Sequence, residues 1–190
     1  GRSLGWTPNG TDEANRGIHG FITPFYYEGW KLKGRPMGSY NALVDLMGHE
    51  HLGGKVVVFI IDGLYSAKVQ NAYRDRLSIV KWQSSPFNND WPSSIFASQD
   101  CVALESVCID FMRNEPEMIW IKGSLDNYLH EAALADNPPS GTFYDPEGDG
   151  TRLTSLGVHE HWNNPVDRQY TRNLGTGNGI PSGKCVSESV

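Results

Sequence analysis

Two histidines separated by one residue are the side chains in this sequence best placed to do chemistry. His159 and His161 flank Glu160. Side chains two apart on an extended stretch point to the same face, so both imidazoles can converge on one metal ion. Two ligands do not complete a site, and a third would have to come from elsewhere in the chain. Asn163 and Asn164 extend this polar cluster, whose alternative interpretation is purely structural hydrogen bonding.

Two aspartates are the candidate catalytic residues and the candidate third ligands. Asp62 directly follows the apolar run at 56–61, and ligands tend to bind at the carboxyl ends of strands in open α/β sheets. Its alternative interpretation is the capping of a turn, because Gly63 follows it. Asp100 precedes an amphipathic segment, and its alternative interpretation is an ordinary helix N-cap.

Two other polar clusters carry weaker patterns. His49, Glu50 and His51 repeat the His-Glu-His pattern upstream of the apolar run, and His49 or His51 is a further candidate for the third ligand. Their position predicts that they lie at the amino end of the strand, whereas Asp62 lies at its carboxyl end. Residues 145–150 hold three carboxylates and could bind calcium, but the glutamate that ends a twelve-residue calcium loop is missing, which favours a solvated turn. The sequence contains neither a phosphate-binding glycine loop of known pattern nor a nucleophile elbow.

The composition suits a soluble globular protein and excludes some classes of function. Lys and Arg total 16 against 22 Asp and Glu, so the formal charge is −6, and no basic block suggests a nucleic-acid partner. No apolar run approaches the roughly 18 residues of a membrane span. The three cysteines lack Cys-x-x-Cys spacing, so we expect no iron–sulfur cluster in this chain. A divalent metal is the one cofactor that the residues suggest.

The elements that would position these residues alternate between strands and helices. Six apolar residues at 56–61, five of them β-branched, predict a strand buried on both faces. A second short strand is predicted at 94–97. Apolar residues at helical spacing predict three helices, at 39–47, 101–114 and 125–135.

This alternation predicts an α/β fold in which helices flank a layered, at least partly parallel sheet. A long irregular carboxyl-terminal segment would follow the last helix. We expect a single domain at 17–175, preceded by an irregular lead-in at 1–16 and followed by a flexible, Gly- and Ser-rich tail at 176–190.

Three segments together resemble a bacterial family known as domain of unknown function 362. They are GGKVVVFIIDGLYSAKVQN, SSIFASQDCVALESVCIDFM and SLGVHEHWNNPVDRQYTRNLG, and the resemblance covers about residues 52–175. The family's Ser-x-Asp-x-Val-Ala-x-Asp/Glu segment, which opens a helix, runs here from Ser98 to Glu105, with Cys101 where the family often has proline.

The resemblance implies that this chain is the carboxyl-terminal part of a longer bacterial protein. Some members of the family carry export signals, so it also implies that the parent protein could be periplasmic. Other members carry ferredoxin-like iron–sulfur segments, whose cysteines this chain lacks. The resemblance implies no settled activity.

The sequence is compatible with three functions of different classes. The first is an enzyme with a polar, metal-assisted site at the carboxyl ends of its strands, built from Asp62, Asp100 and the segment 159–164. The alternative is a binding module whose exposed aromatic rings stack on a carbohydrate, another small molecule or a protein; the candidate rings are Trp6, Trp30, Trp91 and Trp162. A third is a structural role, in which the His-Glu-His segment and the tail stabilise an oligomer.

Overall fold

The part of the chain that the structure describes contains three α-helices and two pairs of antiparallel strands. The structure is a computed structural model, and it describes residues 25–28, 31–34, 36–68, 79–118 and 126–170. The predicted lead-in at 1–16 and tail at 176–190 lie outside these ranges. In chain order the elements are β1 (Phe25–Glu28), β2 (Lys31–Gly34), α1 (Ala42–Gly48), a short 3-10 helix (Gly53–Lys55), β3 (Phe59–Gly63), β4 (Ser94–Ser98), α2 (Cys101–Arg113) and α3 (Asn127–Ala133).

The strands form two separate two-stranded sheets, β1 with β2 and β3 with β4, and both pairs are antiparallel. The prediction of a layered, partly parallel α/β sheet is therefore wrong. A parallel pair needs a crossover connection that returns the chain to the same end of the sheet. Here Ala67 and Ile79, which lie in the connection from β3 to β4, form an antiparallel bridge with each other. The chain therefore reverses direction between the two strands.

The apolar run at 56–61 does not form the core. Val57 is 77% exposed and Ile60 is 64% exposed, and the strand itself begins only at Phe59. Ile60 lies on the same face of the sheet as Ile95 of β4, which is 67% exposed. Since a strand is buried on both faces only when other layers cover both, the two-stranded sheet leaves this face to solvent, and the predicted burial is wrong.

The core lies instead among the three helices and the irregular segment that follows them. Its buried apolar residues are Val44, Val102, Ile109, Leu129, Ala132, Ala133, Ala135 and Tyr144. The helix predicted at 101–114 is present as α2, and the Asp100 side chain caps it by accepting a hydrogen bond from Ala103 N at 2.8 Å. Helix α1 begins at Ala42, after Asn41, whose side chain accepts from Leu43 N, and not at residue 39, where the apolar spacing predicts its start.

A buried carboxylate fastens the loop after α3 to the helices. Glu131 has no exposed surface and accepts hydrogen bonds from Ser140 N at 2.9 Å, from the Ser140 hydroxyl and from the Tyr144 hydroxyl at 2.8 Å. The Tyr144 oxygen in turn accepts from Asn41 N at 3.2 Å. Burial raises the pKa of Tyr144, as does its bond to Glu131, so the phenol stays protonated and able to donate.

We expect Glu131→Gln to lower the free energy of unfolding by about 1–3 kcal/mol, because the amide N–H2 would face one of these donors and leave buried groups unpaired. Urea unfolding followed by tryptophan fluorescence measures the change. Asp136→Asn, an exposed acid-to-amide change shortly after the same helix, is the control and should stay within about 0.5 kcal/mol of the unchanged protein. Equal effects of the two substitutions would contradict a stabilising role for this network.

Candidate metal centre

Four side chains from two distant stretches of the chain meet beside α2. Asp126 and His130 are four residues apart at the start of α3, which puts them on the same side of the helix. His159 and His161 come from the irregular segment that follows the core loops. One carboxylate oxygen and three imidazole nitrogens from these residues lie within 4.8 Å of one another. We refer to Asp126, His130, His159 and His161 as the His3Asp cluster.

Four of the six ligand-atom separations within the His3Asp cluster are close to those between ligands of a single tetrahedral ion. Asp126 Oδ2 lies 2.9 Å from His161 Nε2 and 3.6 Å from Nε2 of both His130 and His159. His130 Nε2 lies 3.2 Å from His159 Nε2. Ligand atoms that each lie about 2.0–2.1 Å from a tetrahedral zinc ion are about 3.3 Å from one another. These four separations lie on either side of that value.

Burial and outer hydrogen bonds orient the imidazoles. His159 has no exposed surface, and the Ser106 hydroxyl hydrogen-bonds its Nδ1. His161 is 36% exposed, and its Nδ1 donates to Asp110 Oδ1 at 2.8 Å. Because an outer partner engages Nδ1 of both rings, their Nε2 atoms are the ones turned toward the other cluster members, as in metal sites whose histidines are oriented by a second set of residues.

Arg113 holds the carboxylate of the cluster by two nitrogens. Its Nη1 donates to Asp126 Oδ2 and its Nη2 lies against Oδ1, each at 3.1 Å, which is the bidentate geometry that a guanidinium favours. Burial alone would raise the pKa of the Asp126 carboxyl. Hydrogen bonds from the three histidines and from Arg113 outweigh it and hold that pKa well below its ordinary value, so Asp126 is a carboxylate.

The pKa values of His159 and His161 are shifted in opposite directions. Burial lowers the pKa of His159 to about 4, so this imidazole is neutral near pH 7. Burial would also lower the pKa of His161, but hydrogen bonds to Asp110 and Asp126 raise it to about 9. Without a metal ion, the proton on His161 Nε2 faces the Asp126 oxygen. A bound divalent cation would take the place of that proton and carry one more positive charge.

The structure brings His159 and His161 together but places both predicted aspartates outside the His3Asp cluster. Asp62 is exposed and accepts a hydrogen bond from Leu64 N at 2.9 Å. Asp100, besides capping α2, accepts from Val158 N at 2.9 Å and so ties the segment before His159 to that helix. Both make structural contacts of the kind that their alternative interpretations predict, and a catalytic role for either stays a prediction.

The neighbours of the two histidines shape the irregular segment. Asn163 Oδ1 accepts from Asn164 N and Gln169 N, and Asn164 Oδ1 accepts from Val166 N and Asp167 N, so both amides build the turn at 163–169. Glu160 is buried, with 9% of its surface exposed. None of these three belongs to the cluster of ligand atoms found among the described residues.

The other two polar clusters make local contacts. His51 and Glu50 are exposed, and His49 Nδ1 lies 3.5 Å from Glu147 Oε1. The carboxylate of Asp145 accepts hydrogen bonds from the backbone N–H groups of three residues that follow it, Gly148, Asp149 and Gly150. These bonds form a closed turn at 145–150, in agreement with the solvated-turn interpretation.

Asp126 and His130 are the cluster members that sequence reasoning missed. An Asp and a His at i and i+4 on the helix predicted at 125–135 share one face, which is a spacing that can ligate a metal. Combined with the His-x-His pair, this signal could have completed the set of four. Asp110 and Arg113 also share one face of a predicted helix, but nothing in the sequence indicates that they lie beside a metal site. Only the fold places them next to the cluster.

Comparison of the chain with protein-family models, with curated proteins and with solved structures found no match. The resemblance to domain of unknown function 362 therefore stays a prediction. No helix in the described ranges combines the length and the apolar character that crossing a bilayer requires.

We expect Arg113→Met to destabilise the protein by about 2–4 kcal/mol in the presence of a chelator, because Asp126 would remain buried without its bidentate partner. Urea unfolding measures this, and Arg152→Met, which removes an exposed arginine, is the control. In the double variant Arg113→Met/Asp126→Asn the loss should be smaller than the sum of the two single losses. An additive double variant, or equal effects at Arg113 and Arg152, would contradict the pairing.

Proposed function

We propose that the protein binds one divalent transition-metal ion at the His3Asp cluster and that Zn²⁺ fits it best. The observation that carries this proposal is the convergence of three imidazole nitrogens and one carboxylate oxygen within 4.8 Å in a largely buried place. Nitrogen-rich, four-ligand sets suit zinc and its neighbours among the transition metals. Calcium and magnesium instead take six or more ligands, nearly all of them oxygen.

A structural role for the ion follows from its surroundings. Four protein ligands fill a tetrahedral shell, which is typical of structural zinc sites, whereas catalytic sites keep one position for water. The segment 155–170 contains no helix or strand and lies against the helices through isolated hydrogen bonds, such as Leu156 N to Ala132 O at 3.0 Å. An ion shared by His159, His161 and α3 would fasten this segment to the core.

A metal-assisted hydrolytic enzyme is the second candidate function, and one observation favours it. His161 is the most exposed cluster member, at 36%, so one side of the centre is open to solvent. In this version Asp126 stays with Arg113, the three imidazoles hold the ion and the fourth position takes a water molecule. Such a site would lie on a helix and an irregular segment, away from the strand ends where we predicted it.

The Ser106 hydroxyl hydrogen-bonds His159, whose Nε2 lies 3.6 Å from Asp126 Oδ2, so the three residues stand in the order of a serine catalytic triad. Serine-based acyl transfer nevertheless has no support. Ser106 lies within α2 and is 2% exposed, and His159 has no exposed surface, so a substrate could not reach this hydroxyl.

The aromatic binding module has less support than a metal centre. Trp162 packs edge-on against Phe111, with ring centroids 4.9 Å apart, and lies against the guanidinium of Arg168. Trp91 contacts Tyr65 in the same manner at 5.3 Å. Trp6 and Trp30 lie outside the described residues. The described tryptophans are therefore engaged in local packing, which favours a structural role for them over a flat binding platform.

The test of metal binding uses the chain prepared without a histidine tag, stripped with a chelator and reloaded. We expect one equivalent of zinc per chain by elemental analysis, and an affinity at least about 100-fold lower in the His159→Ala/His161→Ala variant, since half of the ligands are lost. His49→Ala/His51→Ala removes the other His-x-His pair and should bind like the unchanged chain. Zinc retained equally by both double variants, or absent from the unchanged chain, would contradict the proposal.

Metal removal should loosen the carboxyl-terminal segment specifically. We expect zinc at 100 times its dissociation constant to raise the free energy of unfolding by about 2.7 kcal/mol, since the ion binds only the folded chain. Trypsin should cleave after Arg168 faster in chelator than in zinc, because this residue lies in the segment that the ion fastens. Mass spectrometry of the fragments measures the cleavage. A rate unaffected by zinc would contradict the structural role while leaving binding itself intact.

A further inference from the structure

Asp110 contacts two successive residues of the irregular segment without being a member of the His3Asp cluster. Its Oδ1 accepts from His161 Nδ1 at 2.8 Å, and its Oδ2 accepts from Trp162 N at 3.1 Å. The residue lies near the end of α2 and is 7% exposed. Helix α2 thus holds both the ring of His161 and the backbone beside it through one carboxylate.

The hydrogen bond from His161 Nδ1 to Asp110 determines which ring nitrogen faces a metal ion. A neutral imidazole carries one proton, on either Nδ1 or Nε2, and only the bare nitrogen can bind an ion. A carboxylate can only accept, so Asp110 keeps a proton on Nδ1, and Nε2, which faces Asp126, is the nitrogen that would bind the ion in place of its own proton. A hydrogen bond to an anion also makes the imidazole a stronger donor to the metal.

His161 depends on such a contact more than the other imidazoles do. Packing holds His159, which has no exposed surface, and His130, whose side chain is 9% exposed. The His161 side chain is 36% exposed and has less packing to hold its ring. The outer partner of His159 is moreover a hydroxyl, which can donate or accept and therefore does not select one form of the ring.

We propose that Asp110 is the positioning residue of the metal centre, fixing the ring orientation and the proton position of His161 and thereby setting the affinity for the ion. This inference rests on the proposed metal binding. Asp110 itself contacts no metal in this scheme and acts only through His161.

The experiment measures zinc affinity by competition with a chromogenic chelator in the unchanged chain and in Asp110→Ala. We expect a 10- to 100-fold loss of affinity in Asp110→Ala, the range typical of outer partners of metal-ligating histidines. Asp110→Asn preserves the volume and keeps the variant testable if the alanine does not fold; its uncharged amide should weaken binding in the same direction. Absorption of the Co²⁺-loaded chains should change in both variants, which reports on the ligands directly.

Two comparisons separate positioning from a general loss of stability. In a His161→Ala background the Asp110→Ala change should alter zinc affinity by less than about twofold, because its target is gone. Glu115→Ala removes a carboxylate of similar burial that accepts from Gln83 N and Ser84 N away from the cluster, and it should leave zinc affinity within about twofold.

Affinities within twofold of the unchanged chain for both Asp110 variants would overturn the inference while leaving metal binding intact. An equal loss from Asp110→Ala with and without His161 would also overturn it. If the unchanged chain bound no zinc, the proposed function would fail first and this inference with it.

Discussion

The buried carboxylate of Asp126 is the constraint on which the rest of the site depends. A carboxylate removed from water is stable only where positive charge and hydrogen bonds replace its hydration. Arg113 supplies two donors from α2, and three imidazoles direct Nε2 atoms toward the same oxygen. In this arrangement the helix that carries Asp126 and His130, the helix that carries Arg113 and the segment that carries the other two histidines must all be in place together. The folding of this region and the compensation of the Asp126 charge therefore depend on each other.

This constraint explains how a segment without regular secondary structure can hold the buried His159 and the half-buried His161 in place. Residues 155–170 have no ladder of backbone hydrogen bonds as a strand would, and side chains on and just before α2 hold them instead. Asp100 binds the backbone of Val158 at the start of α2, and Asp110 binds that of Trp162 near its end. Between these two carboxylates Ser106 meets the ring of His159. The segment thus lies along helix α2, and the rings of His159 and His161 reach residues at the start of α3.

Local patterns in the sequence predicted the helices, and the cap of one of them, better than they predicted the sheet. The spacing of apolar residues at 101–114 and the position of Asp100 depend on neighbours within a few residues, and the structure contains that helix and that cap. The apolar run at 56–61 predicted a buried strand wrongly, because burial depends on how many layers cover a strand. The residues of the run carry no information about those layers. His159 and His161 share a face by simple alternation. Their meeting with Asp126, His130 and Asp110 depends instead on contacts across 29 to 51 residues, which no local pattern contains.

X-ray absorption at the zinc edge of the reloaded chain tests the central claim most directly, since it reports the atoms bound to the ion. Zinc held by the His3Asp cluster would have four nitrogen or oxygen neighbours at about 2.0–2.1 Å, together with the outer-shell scattering of three imidazole rings. A sulfur neighbour at about 2.3 Å would instead assign the ion to a cysteine. Six oxygen neighbours without imidazole scattering would assign it to surface carboxylates and water. Either of these two spectra would contradict a metal centre built from Asp126, His130, His159 and His161.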